Sequence, residues 1–585
     1  MTEFRSAVPL PHIPDDLSIP QFIFRSEYPG RPTRPRNTPL FIEDGSGIVT
    51  TYEQAHYRAY GLANALSIKW NIGPCSGYFA FTISHTHTGT KDYATVIWAV
   101  QILGGIVTPA NPNYNAEELQ HQLSVSGAKF IVVHSGCLSA AKKASDTCGL
   151  SDNFLLLIDK IVVPGNLPSI PALEDAISFG WSKGENYGAV RFKPGEARKT
   201  IAFLSFSSGT TGKPKAVAIS HYSVIANVIQ MAAHYRLGDP DRSNRTMVPG
   251  DVVLGVLPFF HIYGLVVVMH YVLYAGASIL VVPKFNFADF LESLISHQVT
   301  HLYIVPPMCV LLAKHPAVKG RKFHHVKFCM SGAAPLGGDL MAQMAILFPN
   351  ASIGQGYGLT ETSTTVSSLK AGVRMGTVGS AGELIPGIVA RVVKPDGSLA
   401  TEGERGELVV TGPSMAMGYF KNPAATAETF VDGWVRTGDE VVIKNLEVFI
   451  LDRIKEIMKV RGFQVAPAEI EAHLLLHPSV SDVCVVGVPD EYSGELPLAF
   501  VVPTLEVLSL IKRGDTTEND VKQAIAKHVS DAKIHYKWLM GGVEFIDAVP
   551  KNPSGKILRR ILRDKANTMK RSDFRQTMPI KLAKL

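Results

Sequence analysis

Between Ser207 and Lys215 the chain reads SSGTTGKPK, with two glycines, four hydroxyl side chains and two lysines in nine positions. Ser207, Ser208, Thr210 and Thr211 supply hydrogen-bond donors. Gly209 and Gly212 let the backbone turn so that its N–H groups converge, and Lys213 and Lys215 supply positive charge. Such a nest suits phosphate. It is not the Walker A loop, which needs G-x-x-x-x-G-K-S/T ahead of a helix whose N-terminus helps hold the anion. Here the glycines stand too close together and Pro214 follows Lys213. The apolar runs IAFLSF before and AVAIS after predict a strand–loop–strand unit. A polar hairpin tip is the plain alternative, but a turn needs fewer lysines and hydroxyls than this.

The elements that must position this loop follow from periodicity. FIEDGSGIVTTYEQ (41–54) reads as a hairpin turning at Asp44–Gly47 and leading into a helix capped by Thr51 and Gln54. KFIVVHS near 129, FLLLID near 154, THLYIVPP near 300 and KFCMSGAA near 327 are strand candidates, with helical stretches such as NFADFLESLISHQ between some of them. This alternation predicts an α/β fold with a parallel sheet. From Gly376 short strands with frequent Gly turns predict a β-rich subdomain. At Asp452-Arg453 the texture changes again, Pro467 reads as the first-turn proline of a helix, and VSDVCVVGVPD reads as a strand. The expectation is a large N-terminal domain (1–452) of parallel α/β subdomains plus a β-rich subdomain, and a small α+β C-terminal domain (453–585).

The 585 residues are 46% apolar and 18% charged, the profile of a soluble enzyme with more than one domain. The pI near 8.8 does not signal nucleic acid. Nine Lys or Arg against two Asp from Arg559 onward carry +7, which leaves the rest near −1, so the basicity reads as a solvated tail. The six cysteines form no C-x-x-C pair and no zinc spacing, and are read as reduced thiols. No apolar h-region follows Met1, so secretion is not expected. The stretch 251–284 holds no Asp, Glu, Lys or Arg between its end residues, but Pro258, Gly264 and Gly276 favour a buried loop–helix–strand run over a membrane span. Ala583-Lys584-Leu585 resembles the S-K-L peroxisomal address and implies a peroxisomal import receptor as partner, with a cytoplasmic location otherwise.

SSGTTGKPK resembles the signature loop of the adenylate-forming superfamily of acyl-CoA synthetases, adenylation domains and luciferases. In the same family order follow PFFHIYG (258–264), SGAAPLG (331–337), QGYGLTE (355–361), GWVRTGDE (433–440), DRIKEIMKVRGFQVAPAEIE (452–471) and PKNPSGKILRR (550–560). HIYG and GFQVAPAE resemble the 4-coumarate–CoA ligase-like branch. Ser207 replaces the usual leading Thr of the loop and keeps its hydroxyl. The resemblance implies that a carboxylate attacks the α-phosphate of ATP to give an acyl-adenylate and pyrophosphate. A thiol, usually that of coenzyme A, then displaces AMP. Both steps crowd negative charge, so cations and oriented donors are required.

By this resemblance Ser207–Lys215 embraces the β- and γ-phosphates. Thr360 and Glu361 lie at the α-phosphate, with Glu361 holding Mg2+. Gly332, Ala333, Ala334 and Pro335, with Gln355, Gly356, Tyr357 and Gly358, enclose adenine. Asp439 accepts from the ribose hydroxyls, Arg453 adds a positive fork, and Lys556 bridges the incoming carboxylate and the α-phosphate. His261 borders the acyl pocket. Each has a structural alternative: Asp439 as a turn cap, Arg453 as a linker salt bridge, His261 as a core histidine, Lys556 as a solvated tail residue and Tyr357 as core packing. Coenzyme A needs an approach that Lys556 obstructs. The resemblance therefore implies a mobile C-terminal domain that rotates about Asp452–Lys455 and presents Lys459, Arg461, Gly462 and Gln464 for the second step. The hairpin before that hinge, EVVIKNLEVFILDR, is about one residue shorter than the family pattern, which puts its turn geometry in question.

IYGLVVVMHYVLY after His261 and TSTTVSS after Glu361 imply an acyl pocket that is apolar with hydroxyls and lacks a cation for a second carboxylate. An aromatic, medium-chain or polyketide-like monocarboxylic acid fits, and an amino acid fits less well. Three rivals stand beside the acyl-CoA ligase: a stand-alone adenylation enzyme loading a carrier-protein thiol, a luciferase-like oxygenase, and a membrane-associated acid-uptake protein.

Overall fold

The structure is a computed structural model that describes residues 3–24, 28–73, 91–159, 170–184, 187–207, 214–282, 284–490, 492–552 and 555–569. Residues 208–213 of the signature loop, Cys75 and the C-terminal Ala583-Lys584-Leu585 lie outside the described residues.

The alternation read from the sequence becomes a parallel sheet in the order Phe41–Glu43, Ser278–Val281, Val252–Gly255, His301–Ile304, Phe328–Ser331, Ser352–Leu359. Several of these strands are buried on both faces, as an α/β sheet requires. The helix Phe287–Ser296 shows how its neighbours form. Asn286 accepts from the N–H groups of Ala288 and Asp289, and Phe290, Leu291 and Leu294 make one buried stripe. Burying side chains of this size stabilises by roughly 1.5–3 kcal/mol each. The hairpin near Asp44 and the reciprocal cap of Thr51 and Gln54 on Tyr52–Trp70 are present as expected.

The charge-free stretch 251–284 folds into the core as strand, loop, helix and strand. The segment Tyr263–Tyr271 is wound with the wider π pitch and continues as the α-helix Val272–Ala275. No helix among the described residues is long and apolar enough to cross a membrane.

Ser352–Leu359 is the pivot of the large sheet. Its first half pairs parallel with Phe328–Ser331, up to Gln355 beside Ser331. Its second half pairs antiparallel with Thr364–Ser368, with a bulge between Tyr357 and Gly358. From there the sheet continues antiparallel through Glu447–Arg453 and Trp434–Lys444, which is the β-rich region expected after Gly376. The two textures thus form one continuous sheet. Ile201–Ser207 and Lys215–Ser220 pair as the expected strand–loop–strand unit, and Gly418–Tyr419 adds a third strand.

Asp452 and Arg453 end a strand of the large sheet. After residues 454–457 the chain enters a separate sheet built on Val480–Asp490 and Gly494–Pro503. This C-terminal domain has its own cores, one around Val485 and Ile525 and another around Phe500 and Leu562. Pro467 opens the helix Pro467–Leu474 as expected, but its N-cap Ala466 offers no side chain. Asp452 accepts from Ala468 N–H instead, at 3.1 Å. One expectation is corrected. Arg559, counted with a solvated basic tail, is buried at the start of Arg559–Thr568, because Glu456 and Glu471 pair with it.

The shortened hairpin is closed by Asn445-Leu446, flanked by the pair Lys444 and Glu447. Both turn residues have positive φ, 53° and 65°, the type I′ pattern that matches strand twist. Leucine bears this conformation poorly. Leu446→Gly is therefore expected to stabilise the protein by ~1 kcal/mol, read as a small rise in Tm; a fall would refute the strain.

Candidate functional site

A cavity of about 170 Å³ opens where the parallel sheet, the antiparallel sheet and the C-terminal domain meet. Parallel strands present ligands at their carboxyl ends. Here Ser331 and Gln355 end the parallel pairing, and Ala333, Ala334, Pro335 and Tyr357 line the wall just beyond it. Ala333 takes the left-handed conformation (φ 71°), which turns that segment across the sheet edge. Gln355 braces it. Its amide oxygen accepts from Leu336 N–H at 2.7 Å and its amide nitrogen donates to Ser380 O at 3.1 Å. Gly358 has no alternative, since a Cβ there would stand 1.6 Å from Thr364 O.

The opposite wall is electrostatic. Asp439 and Arg453 are register partners on neighbouring antiparallel strands. The Tyr357 hydroxyl donates to Asp439 Oδ2 at 2.5 Å, and Arg453 Nε lies 3.6 Å from Oδ1. Burial pushes the Asp439 carboxyl up from its ordinary value, while Arg453, the Tyr357 hydroxyl and Lys556 oppose that rise. Burial drives the Tyr357 phenol well up.

The C-terminal domain contributes Lys556, Arg559, Glu456 and Glu471 to the same cavity. Arg559 is fully committed. It donates to Glu456 at 2.6 Å, to both oxygens of Glu471 at 2.8 and 2.7 Å, and to Val485 O at 3.1 Å. Lys556 is not committed: no carboxylate among the described residues lies within ion-pair distance of its Nζ. Burial, and then repulsion by Arg453, lower its pKa to about 8, against the attraction of Glu456, Asp439 and Glu361. Asn552 fixes its backbone, with Asn552 N–H donating to Lys556 O and Lys556 N–H to Asn552 Oδ1.

Glu361 forms a second corner. It is buried beside the half-buried Thr360, and its Oε1 accepts from the hydroxyls of Ser207 at 3.1 Å and Tyr419 at 2.8 Å. Lys215 lies over the Tyr419 ring at 5.0 Å. Tyr419 therefore joins the signature hairpin to Glu361, which sequence reasoning missed. Its signal was present in the chain as an aromatic residue in the short run GYFKNP.

Behind the main cavity lies a pocket of about 50 Å³ bordered by His261, Tyr263, Met330, Gly332, Thr364 and Thr365. No Asp, Glu, Lys or Arg lines it among the described residues. Burial and then Lys556 lower the His261 pKa to about 4, so the imidazole is neutral near pH 7. Gly332 borders this pocket rather than the main cavity, where a Cβ would press on the Tyr263 ring at 2.9 Å. Of IYGLVVVMHYVLY only Ile262 and Tyr263 reach the pocket. The remainder is core.

The structure therefore brings together Ala333, Ala334, Pro335, Gln355, Gly356, Tyr357, Gly358, Asp439, Arg453 and Lys556. It does not bring Lys459, Arg461, Gly462 and Gln464 to them; these four are exposed on the C-terminal domain, with Gln464 in a cleft that Pro335, Gly338 and Val378 of the large body also line. Lys459 N–H donates to Glu495 at 2.7 Å, and the Arg461 guanidinium lies over Tyr492 at 5.2 Å.

Two family models match the chain, AMP-binding enzyme over residues 31–420 and AMP-binding enzyme C-terminal domain over 469–556. A 4-coumarate–CoA ligase of Oryza sativa subsp. japonica is 34% identical over 580 residues, covering 97% of this chain and 95% of its own. One from Solanum tuberosum is 35% identical over 572 residues, covering 96% of each. Among solved structures, ATP-bound MatB from Rhodopseudomonas palustris matches with TM-score 0.76 at 23% identity, covering 94% of this chain and 99% of its own. A benzoate CoA ligase from Burkholderia xenovorans LB400 matches with TM-score 0.76 at 23% identity, covering 94% and 100%. The chain belongs to the AMP-binding enzyme family, on its 4-coumarate–CoA ligase-like branch, and is an ATP-dependent, AMP-forming acid–CoA ligase.

Proposed function

We propose that the enzyme activates an apolar, preferentially aromatic, monocarboxylic acid and transfers it to coenzyme A, using one face of its C-terminal domain for each step. The observation that carries this reading is Lys556, an uncommitted ammonium delivered by the C-terminal domain into the cavity that holds Tyr357, Asp439 and Arg453. In the first step Lys556 draws the acid carboxylate and the α-phosphate together and takes up charge that grows as the bond forms. Asp439 orients the ribose through its hydroxyl-accepting oxygens, and the Ala333–Pro335 segment with Tyr357 walls the adenine. The signature loop, Ser207 to Lys215, holds the outer phosphates.

Glu361 fits Mg2+. It is a single buried carboxylate whose Oε2 accepts no hydrogen bond among the described residues, and this ion is commonly held by one or two carboxylates plus phosphate oxygens. When bound, the ion neutralises charge on those phosphates.

In the second step the C-terminal domain turns about residues 452–455 and withdraws Lys556. Lys459, Arg461, Gly462 and Gln464, which stand outside the main cavity in this placement, then reach the adenylate and admit the thiol. The small pocket beside neutral His261, lined by Tyr263, Met330 and two threonines, accommodates an uncharged acyl group and offers an ammonium no counter-charge. Acids in the names of relatives and structural neighbours, coumarate and benzoate, have this character.

Lys556→Ala is expected to slow acid-dependent ATP–pyrophosphate exchange by roughly 10²–10³-fold, as for one charge-stabilising donor. It should largely spare thioester formation from supplied acyl-adenylate; equal losses in both contradict the role. The charged ammonium is present below its folded pKa and lost above it. The kcat/KM for adenylation should therefore fall as pH rises through about 8, and Lys556→Arg, which keeps its charge, should lack that limb. An acid screen with ATP, Mg2+ and coenzyme A, read by product mass, should show aromatic and apolar acyl-CoA products. Turnover confined to amino acids, or to a carrier-protein thiol, overturns the substrate assignment.

A further inference from the structure

Lys314 is the last residue of the helix Pro306–Lys314, which follows His301–Ile304 in the parallel sheet and so belongs to the large body. Its Nζ leaves that body and donates to two backbone carbonyls of the C-terminal domain, Leu475 O at 2.6 Å and Val480 O at 3.0 Å. These carbonyls sit on different elements. Leu475 is the C-cap of Pro467–Leu474, and Val480 opens the strand Val480–Asp490. The end of a helix leaves carbonyls without intrahelical partners and gathers partial negative charge. An ammonium from another domain satisfies both needs. No carboxylate lies within ion-pair distance of Lys314 among the described residues, and burial lowers its pKa. The lysine is exposed overall, and the two carbonyl oxygens it reaches are there only while the domain is docked.

The same strand leads back to the reacting cation. Val485 O accepts from Arg559 Nε at 3.1 Å, and Arg559 stands three residues beyond Lys556.

We propose that Lys314 is a positioning residue for the first half-reaction, a latch that holds the C-terminal domain in the pose that seats Lys556. The assignment rests on the two-pose reading above. Turning Lys459 inward carries the Pro467–Leu474 helix off Lys314, so the latch favours adenylation alone. It touches no reacting atom.

The test uses the full-length chain with Lys314→Met, which keeps the apolar stem and removes the donor, and Lys314→Arg, which restores a cation. Lys314→Gln serves if the Met variant folds poorly. Both half-reactions and Tm are measured beside Lys556→Ala. Lys314→Met is expected to slow ATP–pyrophosphate exchange about tenfold and to leave thioester formation from supplied acyl-adenylate equal or faster. Tm should change little, and Lys314→Arg should recover part of the exchange rate. Unchanged exchange, or equal losses in both half-reactions with a lowered Tm, overturns the latch. If Lys556→Ala separates the half-reactions and Lys314→Met does not, the latch alone fails. If Lys556→Ala does not separate them, the two-pose reading itself fails.

Discussion

The structure depends on keeping one ammonium desolvated and unpaired beside a buried carboxylate. Ions taken from water normally demand a partner in return. In this cavity Arg559 has two, Glu456 and Glu471, and Arg453 stands against Asp439. Lys556 has none within ion-pair distance among the described residues. Burial and Arg453 press it toward neutrality, and the more distant Glu456, Asp439 and Glu361 keep it charged. A site balanced in this way is short of negative charge, which is what the proposed meeting of a carboxylate and a triphosphate there requires.

The polar constellation rests on a change of sheet direction. Ser352–Leu359 begins as a parallel strand and ends as an antiparallel one, with its bulge at Tyr357 and Gly358. A parallel half alone would leave a carboxyl-end crevice but supply no Asp439, which lies on Trp434–Lys444. An antiparallel half alone would lack the carboxyl-end crevice. The bulge re-aims Tyr357 so that its hydroxyl meets Asp439. Gly358 allows the neighbouring strand to pass at a distance no side chain tolerates.

Because Lys556 comes from a separate domain, its place in the cavity depends on docking. The docked surface is held at points near and far from the crossing at 454–457. Asp452 caps the Pro467–Leu474 helix at one end, and Lys314 binds its C-cap carbonyl at the other. These are hydrogen bonds to main chain, which form only in one relative placement and leave little of their strength when it shifts. Lys459 and Arg461, by contrast, face outward in this placement. Lys556 and the Lys459–Arg461 stretch thus lie on different parts of the domain, and in this placement only Lys556 enters the cavity.

Much of this was legible in the residues alone. Period-two apolar runs, the Thr51 and Gln54 cap, Pro467 at a helix start and the motif order depend on local backbone preference and on spacing along the chain. The sequence therefore determined the alternating α/β texture, the strand–loop–strand signature unit and the membership of Tyr357, Asp439, Arg453 and Lys556 in one site. It did not determine which charges would be paired. Arg559 resembled its neighbours in a basic stretch, yet folding buries it between Glu456 and Glu471. Tyr419 and Lys314 carry no local pattern, because their partners lie 58 and at least 161 residues away. Nor did composition separate Ile262 and Tyr263, which reach the small pocket beside His261, from the equally apolar residues after them, which are core. Pairing, burial and pocket membership are set by distances across the fold. Those distances exist only once the two sheets and the C-terminal domain have closed around a shared cavity.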